Sequence, residues 1–177
     1  MKTSLSFFLI LVFLLAACRQ EVQKALPDPS SQSNKNDIAL LKMNNYIAKR
    51  NQELIQQFVK RTGLNAKETG SGLWLEIYEN GSGNAVNKGD IIVLSYYLKL
   101  LDGTPIDSAL TISPKSFKSG NGGVESGLEE GILLLHVGDK ARLIIPPHLA
   151  YGNFGNDNKI PPGAFLFYDL KLIGVNP

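Results

Sequence analysis

Residues 143–168 read LIIPPHLAYGNFGNDNKIPPGAFLFY, two apolar, strand-like ends separated by a loop that holds aromatics, glycines and two Pro-Pro pairs. Pro146-Pro147 stops the first strand, because proline has no N–H to give to a ladder. Ile160-Pro161-Pro162-Gly163 holds a stiff extended turn before the second strand. Tyr151 and Phe154 are large apolar side chains on that loop. Such a loop either folds over its own core or offers its aromatics to a ligand, and binding groups gather on loops fixed by a rigid scaffold.

Outward from there the texture is strands and turns. LWLEIYE, residues 73–79, alternates between glycines and reads as a strand. IIVLSYYLKLL, 91–101, reads as a long strand partly buried on both faces. Asp102-Gly103 is a hairpin signal, so residues 104–107 return as a short strand. Residues 108–114 read as a loop or bulge and 115–118 as another short strand. Ser126 and Glu129 have capping-box spacing and open a helix to about residue 135, with Leu128, Ile132 and Leu135 facing inwards. Residues 141–145 and 164–173 complete the pattern. About five strands without helical crossovers, and one short helix, describe an α+β domain with an antiparallel sheet.

The chain of 177 residues allows one domain plus extensions. A net charge of +2 with no dense basic run argues against nucleic acid as a partner. The single cysteine, Cys18, excludes a disulfide framework, and His136 and His148 are too isolated for a zinc site, so no metal is expected. Lys2, an apolar run from Leu5 to Ala17 and Leu15-Ala16-Ala17-Cys18 describe a signal peptide over 1–17. The run is shorter than the ~20 apolar residues of a spanning helix. The motif resembles a lipobox, whose cysteine is cut free and lipidated, implying a membrane anchor. Residues 18–36 are polar, with prolines and serines, and read as a flexible tether. A helical segment follows over 37–71, capped by Asn36 or Asp37, striped by Ile47, Leu54, Ile55, Phe58 and Val59, and closing at Gly63. Asn44 and Asn45 offer a break within it.

Three blocks in order, GDIIVLSYYLKLLDGTPIDS (89–108), SGLEEGILLLHVGDKARLIIPPHLAYG (126–152) and IPPGAFLFYDLKLI (160–173), resemble the FKBP-type peptidyl-prolyl isomerases over 72–177. With the lipobox and helical preface, the whole chain is similar to FKBP-type lipoproteins of Bacteroidetes, some associated with gliding motility. The resemblance implies a twisted sheet wrapped around the short helix, no cofactor, and proline-containing polypeptides as partners. It implies a pocket of Tyr96, Ile106, Asp107, Phe117, Leu128, Tyr151 and Tyr168, with Val124, Glu125 and Ile160 binding substrate. Glu125 would contribute mainly its backbone N–H. The pattern departs at Ile106 and Tyr168, where phenylalanine is usual, at Leu128, where tryptophan is, and at Glu125, where isoleucine is. The resemblance also leaves the helical preface two roles, packing on its own domain in a monomer or pairing in a dimer. The functions it implies are an isomerase for exported proteins, a low-activity chaperone or binding module, and a structural lipoprotein of an envelope machine. The domain would lie in the cell envelope, in the periplasm.

Overall fold

The structure is a computed structural model that describes residues 29–156 and 159–176. The leader, Cys18 and the first part of the tether lie outside the described residues. The chain divides into two units, 1–43 and 44–177. Helix α1, Pro29–Thr62, is assigned without interruption at Asn44 and Asn45. It begins inside the stretch read as tether. Proline suits a first helical position, where its missing N–H costs nothing, and a helix once nucleated extends through polar sequence.

Among the described residues the second unit carries seven strands, not about five: β1 (Lys67–Glu68), β2 (Trp74–Glu79), β3 (Ile91–Leu100), β4 (Pro105–Ala109), β5 (Lys115–Lys118), β6 (Lys140–Ile145) and β7 (Leu166–Asn176). All pairings are antiparallel, in the order β1-β2-β6-β7-β3-β4, with β5 also on β3. β1 is two exposed charged residues, which carry no apolar alternation for a sequence reading to find. β4 and β5 share one edge of β3: β5 pairs with Ile91–Leu94 and β4 with Tyr96–Lys99. Residues 110–114 bulge out between them, pinned by a bridge from Leu110 to Ser113.

Strand periodicity sorts the core into two faces. Ile92, Leu94, Tyr96 and Leu98 of β3 join Leu143 and Ile145 of β6 and Leu166, Tyr168, Leu170 and Leu172 of β7 in the larger cluster. Helix α2, Ser126–Ile132, lies on it through Leu128 and Ile132, and Leu135 just beyond is buried too, as expected. Gly127 and Gly131 permit this approach, since a Cβ on either would strike Ile145 or Leu143. The alternate residues Trp74, Ile144 and Phe167 face the other way and bury Ile55 and Phe58 of α1. The rings of Phe58 and Phe167 meet edge to face, centroids 5.8 Å apart. The carboxy-terminal turns of α1 therefore pack on their own domain. The second face of β3 is partly buried, as expected: Val93 and Ser95 are half-buried while Ile91, Tyr97 and Lys99 are exposed.

Candidate active site

The loops over α2 build the site. Pro146 and Pro147 end β6 at Ile145, and a 3-10 turn over Pro147–Leu149 redirects the chain. The loop is then closed on itself: the Asn156 N–H donates to the Ile160 carbonyl at 2.8 Å and the Gly163 N–H to the Gly152 carbonyl at 2.9 Å. Gly155 takes φ +70, which favours glycine, and a Cβ there would strike the Ile160 carbonyl oxygen. This buries Ile160 and leaves Tyr151 half-buried, while Phe154 is 93% exposed. The two loop aromatics thus divide between the alternatives, one packed and one offered.

The start of α2 differs from expectation. Glu125, not Ser126, is the capping residue, and its carbonyl accepts the N–H groups of Leu128 (2.9 Å) and Glu129 (3.0 Å). The helix register is one residue earlier, so no capping box forms. The Ser126 hydroxyl donates to the Leu149 carbonyl at 3.1 Å, and Glu129 accepts the Gly122 N–H at 3.0 Å.

Three tyrosines and two carboxylates converge here. The Tyr96 hydroxyl donates to Asp107 Oδ2 at 2.6 Å. The Tyr168 hydroxyl donates to Glu125 Oε2 at 3.0 Å, both side chains buried. The Tyr96 and Tyr168 rings lie 5.4 Å apart at 59°. Tyr151 packs half-buried against the same cluster, where the Glu125 carboxylate acts on its hydroxyl. Burial, then the hydrogen bond to Glu125, push Tyr151 up to about 12. Burial, then the Glu125 charge, push Tyr168 well above an ordinary phenol, and burial, then Asp107, do so for Tyr96. In return the Tyr96 hydrogen bond holds Asp107 below the usual carboxylate range.

A family model described as FKBP-type peptidyl-prolyl cis-trans isomerase matches residues 83–173, which hold every one of these groups. The chain belongs to the FKBP-type peptidyl-prolyl cis-trans isomerase family. The FKBP-type isomerase FkpA of Escherichia coli K12 is 36% identical over 126 residues, covering 71% of this chain and 45% of FkpA. The chain thus spans less than half the length of that relative. FK506-binding protein 2 of Dictyostelium discoideum is 43% identical over 89 residues, 50% of this chain and 67% of that protein. The crystal structure of a peptidyl-prolyl cis-trans isomerase from Pseudomonas syringae shares the fold, with a TM-score of 0.62 and 24% identity, over 73% of this chain and 96% of that one.

Within this FKBP-type domain, the remaining expected site residues fall into the same apolar cluster. Leu128 and Ile160 are buried in it, and Ile106, Phe117 and Val124 pack against it half-buried. The Glu125 side chain is engaged too, accepting from the Tyr168 hydroxyl. Lys115 and Asn156 were missed. Lys115 alternates with Phe117 on the same half-buried face of β5, and its ammonium stands 5.7 Å from the centre of the Tyr96 ring. Period-2 alternation in KSFK would have found it. Asn156 carries no signal beyond lying in the loop.

The three raised phenols set an alkaline expectation. A group whose folded value is raised contributes stability that is fully present below its unfolded value, near 10 for tyrosine, and is lost as pH climbs through the folded value. At pH ~11 the native FKBP-type domain should ionise fewer tyrosines than the same chain in guanidinium. Ultraviolet tyrosinate absorbance measures this, and equal ionisation in the two states would contradict the burial described.

Proposed function

We propose that the chain is a peptidyl-prolyl cis-trans isomerase acting on proline-containing polypeptides exported to the cell envelope. The observation that carries this is the convergence of Tyr96, Asp107, Glu125, Tyr151 and Tyr168 above the helix that buries Leu128, in a chain of this family. Rotation about a peptide bond costs ~18–20 kcal/mol, and the X-Pro bond turns over unaided in tens to hundreds of seconds. No nucleophile is needed. A twisted imide has lost resonance and is less charge-separated than a planar one. An apolar wall therefore favours the transition state over the ground state, which is differential binding. Ile106, Phe117, Val124, Leu128 and Tyr168 supply that wall, with Ile160 closing it from the loop. Tyr151 and the Glu125 N–H orient substrate carbonyls, and Asp107 with Tyr96 forms the polar edge.

A protease-coupled assay on a proline peptide, with the full chain in detergent, tests the reading. No acceleration over buffer by folded protein would sink it. Phe117→Ala should lower kcat/KM about ten- to a hundred-fold, the loss of one to two buried-ring contacts' worth of differential binding. Tyr151→Phe should lower it less, and unchanged activity in both would remove these residues from the site.

The anchor belongs to the same proposal. Cys18 would carry the lipid, residues beyond it would tether the domain in the periplasm, and the chain would then resemble the gliding-motility-associated FKBP-type lipoproteins of Bacteroidetes. The support is the sequence Leu15-Ala16-Ala17-Cys18 at the end of an apolar run. Cys18→Ala should move the chain from the membrane fraction to the soluble one. Continued sedimentation with membranes would count against lipidation.

One observation favours the second reading, a chaperone or binding module. Ile112 on the β4–β5 bulge and Phe154 on the long loop are 92% and 93% exposed, on segments that also carry Lys115 and Tyr151. Apolar side chains left bare beside a site suit an unfolded polypeptide better than a short peptide. Slowed aggregation of an unfolded client without proline turnover would select this reading.

A further inference from the structure

We propose that the Glu125 carboxylate is a positioning residue, acting with Tyr168 as one unit that fixes the floor of the site and the hydroxyl of Tyr151. The inference rests on the isomerase reading for its consequence in catalysis and on geometry for the unit itself. Glu125 is 8% exposed and Tyr168 1% exposed, and their hydrogen bond joins residues 43 apart in sequence. A carboxylate this buried costs several kcal/mol unless its oxygens are met. A buried phenol without an acceptor leaves an unsatisfied donor. Each group therefore supplies what the other's burial requires.

The second partner of the carboxylate gives the unit its function. Tyr151 stands on the loop after β6, and Tyr168 is the third residue of β7. Glu125 caps the start of α2, so its carboxylate ties that helix start to a sheet strand, with Tyr151 of the loop packed on the same cluster. It holds the Tyr151 ring over the floor before substrate arrives. A site organised in advance loses less on binding than one assembled by the ligand.

The other charged groups at this site have other places. Asp107 accepts from Tyr96, and Lys115 and Lys159 act on Asp107. Among the described residues no lysine or arginine lies within 4 Å of the Glu125 carboxylate, and the hydroxyl of Tyr168 is what meets it.

The test is a double-mutant cycle on the full chain in detergent: Tyr168→Phe, Glu125→Leu and both, with Glu125→Gln as the conservative variant. Each single change should lower kcat/KM, and the double should lose no more than the worse single, a coupling of roughly ten-fold. Glu125→Gln, which keeps an acceptor, should recover most of the loss. Tyr151 should titrate closer to 10 in Glu125→Leu than in the parent, and comparison with Glu125→Gln, which keeps the side-chain volume, separates loss of the carboxylate from loss of burial. Losses that simply multiply, or a Tyr151 titration indifferent to position 125, would overturn the proposal. If the parent shows no turnover, the isomerase reading fails. The pair is then decided by the same cycle on urea midpoints and by the Tyr151 titration. If the double variant does not fold, Glu125→Gln and that titration decide.

Discussion

Leu128→Ala is expected to lose about 2–5 kcal/mol of folding free energy and to carry the site down with it. The side chain is 1% exposed, in the first turn of α2, inside the cluster shared with Tyr168, Leu143 and Ile145. Truncation removes transfer energy and leaves a cavity, and little can move in to fill it. Gly127 and Gly131 already bring the helix backbone as near Ile145 and Leu143 as it can come. That stiffness places the loss in the upper part of the range. Urea unfolding measures it, and Leu128→Met, which conserves volume, should cost less than about 1.5 kcal/mol. A loss below about 1 kcal/mol for the alanine variant would mean that α2 settles onto the sheet, contrary to the tight approach described.

Asp139→Ala should cost about 1–3 kcal/mol by a different route, two part-buried donors losing one buried acceptor group. Asp139 is 2% exposed and accepts the Gly81 N–H at 2.5 Å and the His136 N–H at 2.7 Å. It clamps the turn after β2 to the turn before β6. A Cβ on Gly81 would run into the backbone of Val137 and Asp139, so the turns are pressed together with no room for a compensating side chain. The two amides should lose hydrogen-exchange protection ahead of the rest of the sheet. Asp139→Asn keeps one carbonyl oxygen and should fall between. Full protection of Gly81 and His136 in the alanine variant would show that other groups hold the turns.

Sequence periodicity carried much of this architecture. FLFYDLKLI alternates so cleanly that both faces of β7 could be assigned, and Pro146-Pro147 marks the end of β6 to the residue. Position-by-position resemblance brought the site residues into one cluster. What escaped has physical causes. β1 is paired by backbone alone, so its side chains say nothing. The start of α1 was hidden by polar composition. The helix cap moved by one residue because Ser126 found the Leu149 carbonyl, a partner 23 residues away. Glu125 and Tyr168 were each visible as departures, yet nothing local says that one departure answers the other.

β7 lies between β6 and β3 and is the last strand in chain order. While the polypeptide is being synthesised, β1, β2 and β6 can form one fragment and β3, β4 and β5 another, but neither has its neighbour. The two half-sheets stay open along their inner edges until residues 166–176 leave the ribosome and zip them together. Exposed edges of that kind invite pairing with other nascent chains.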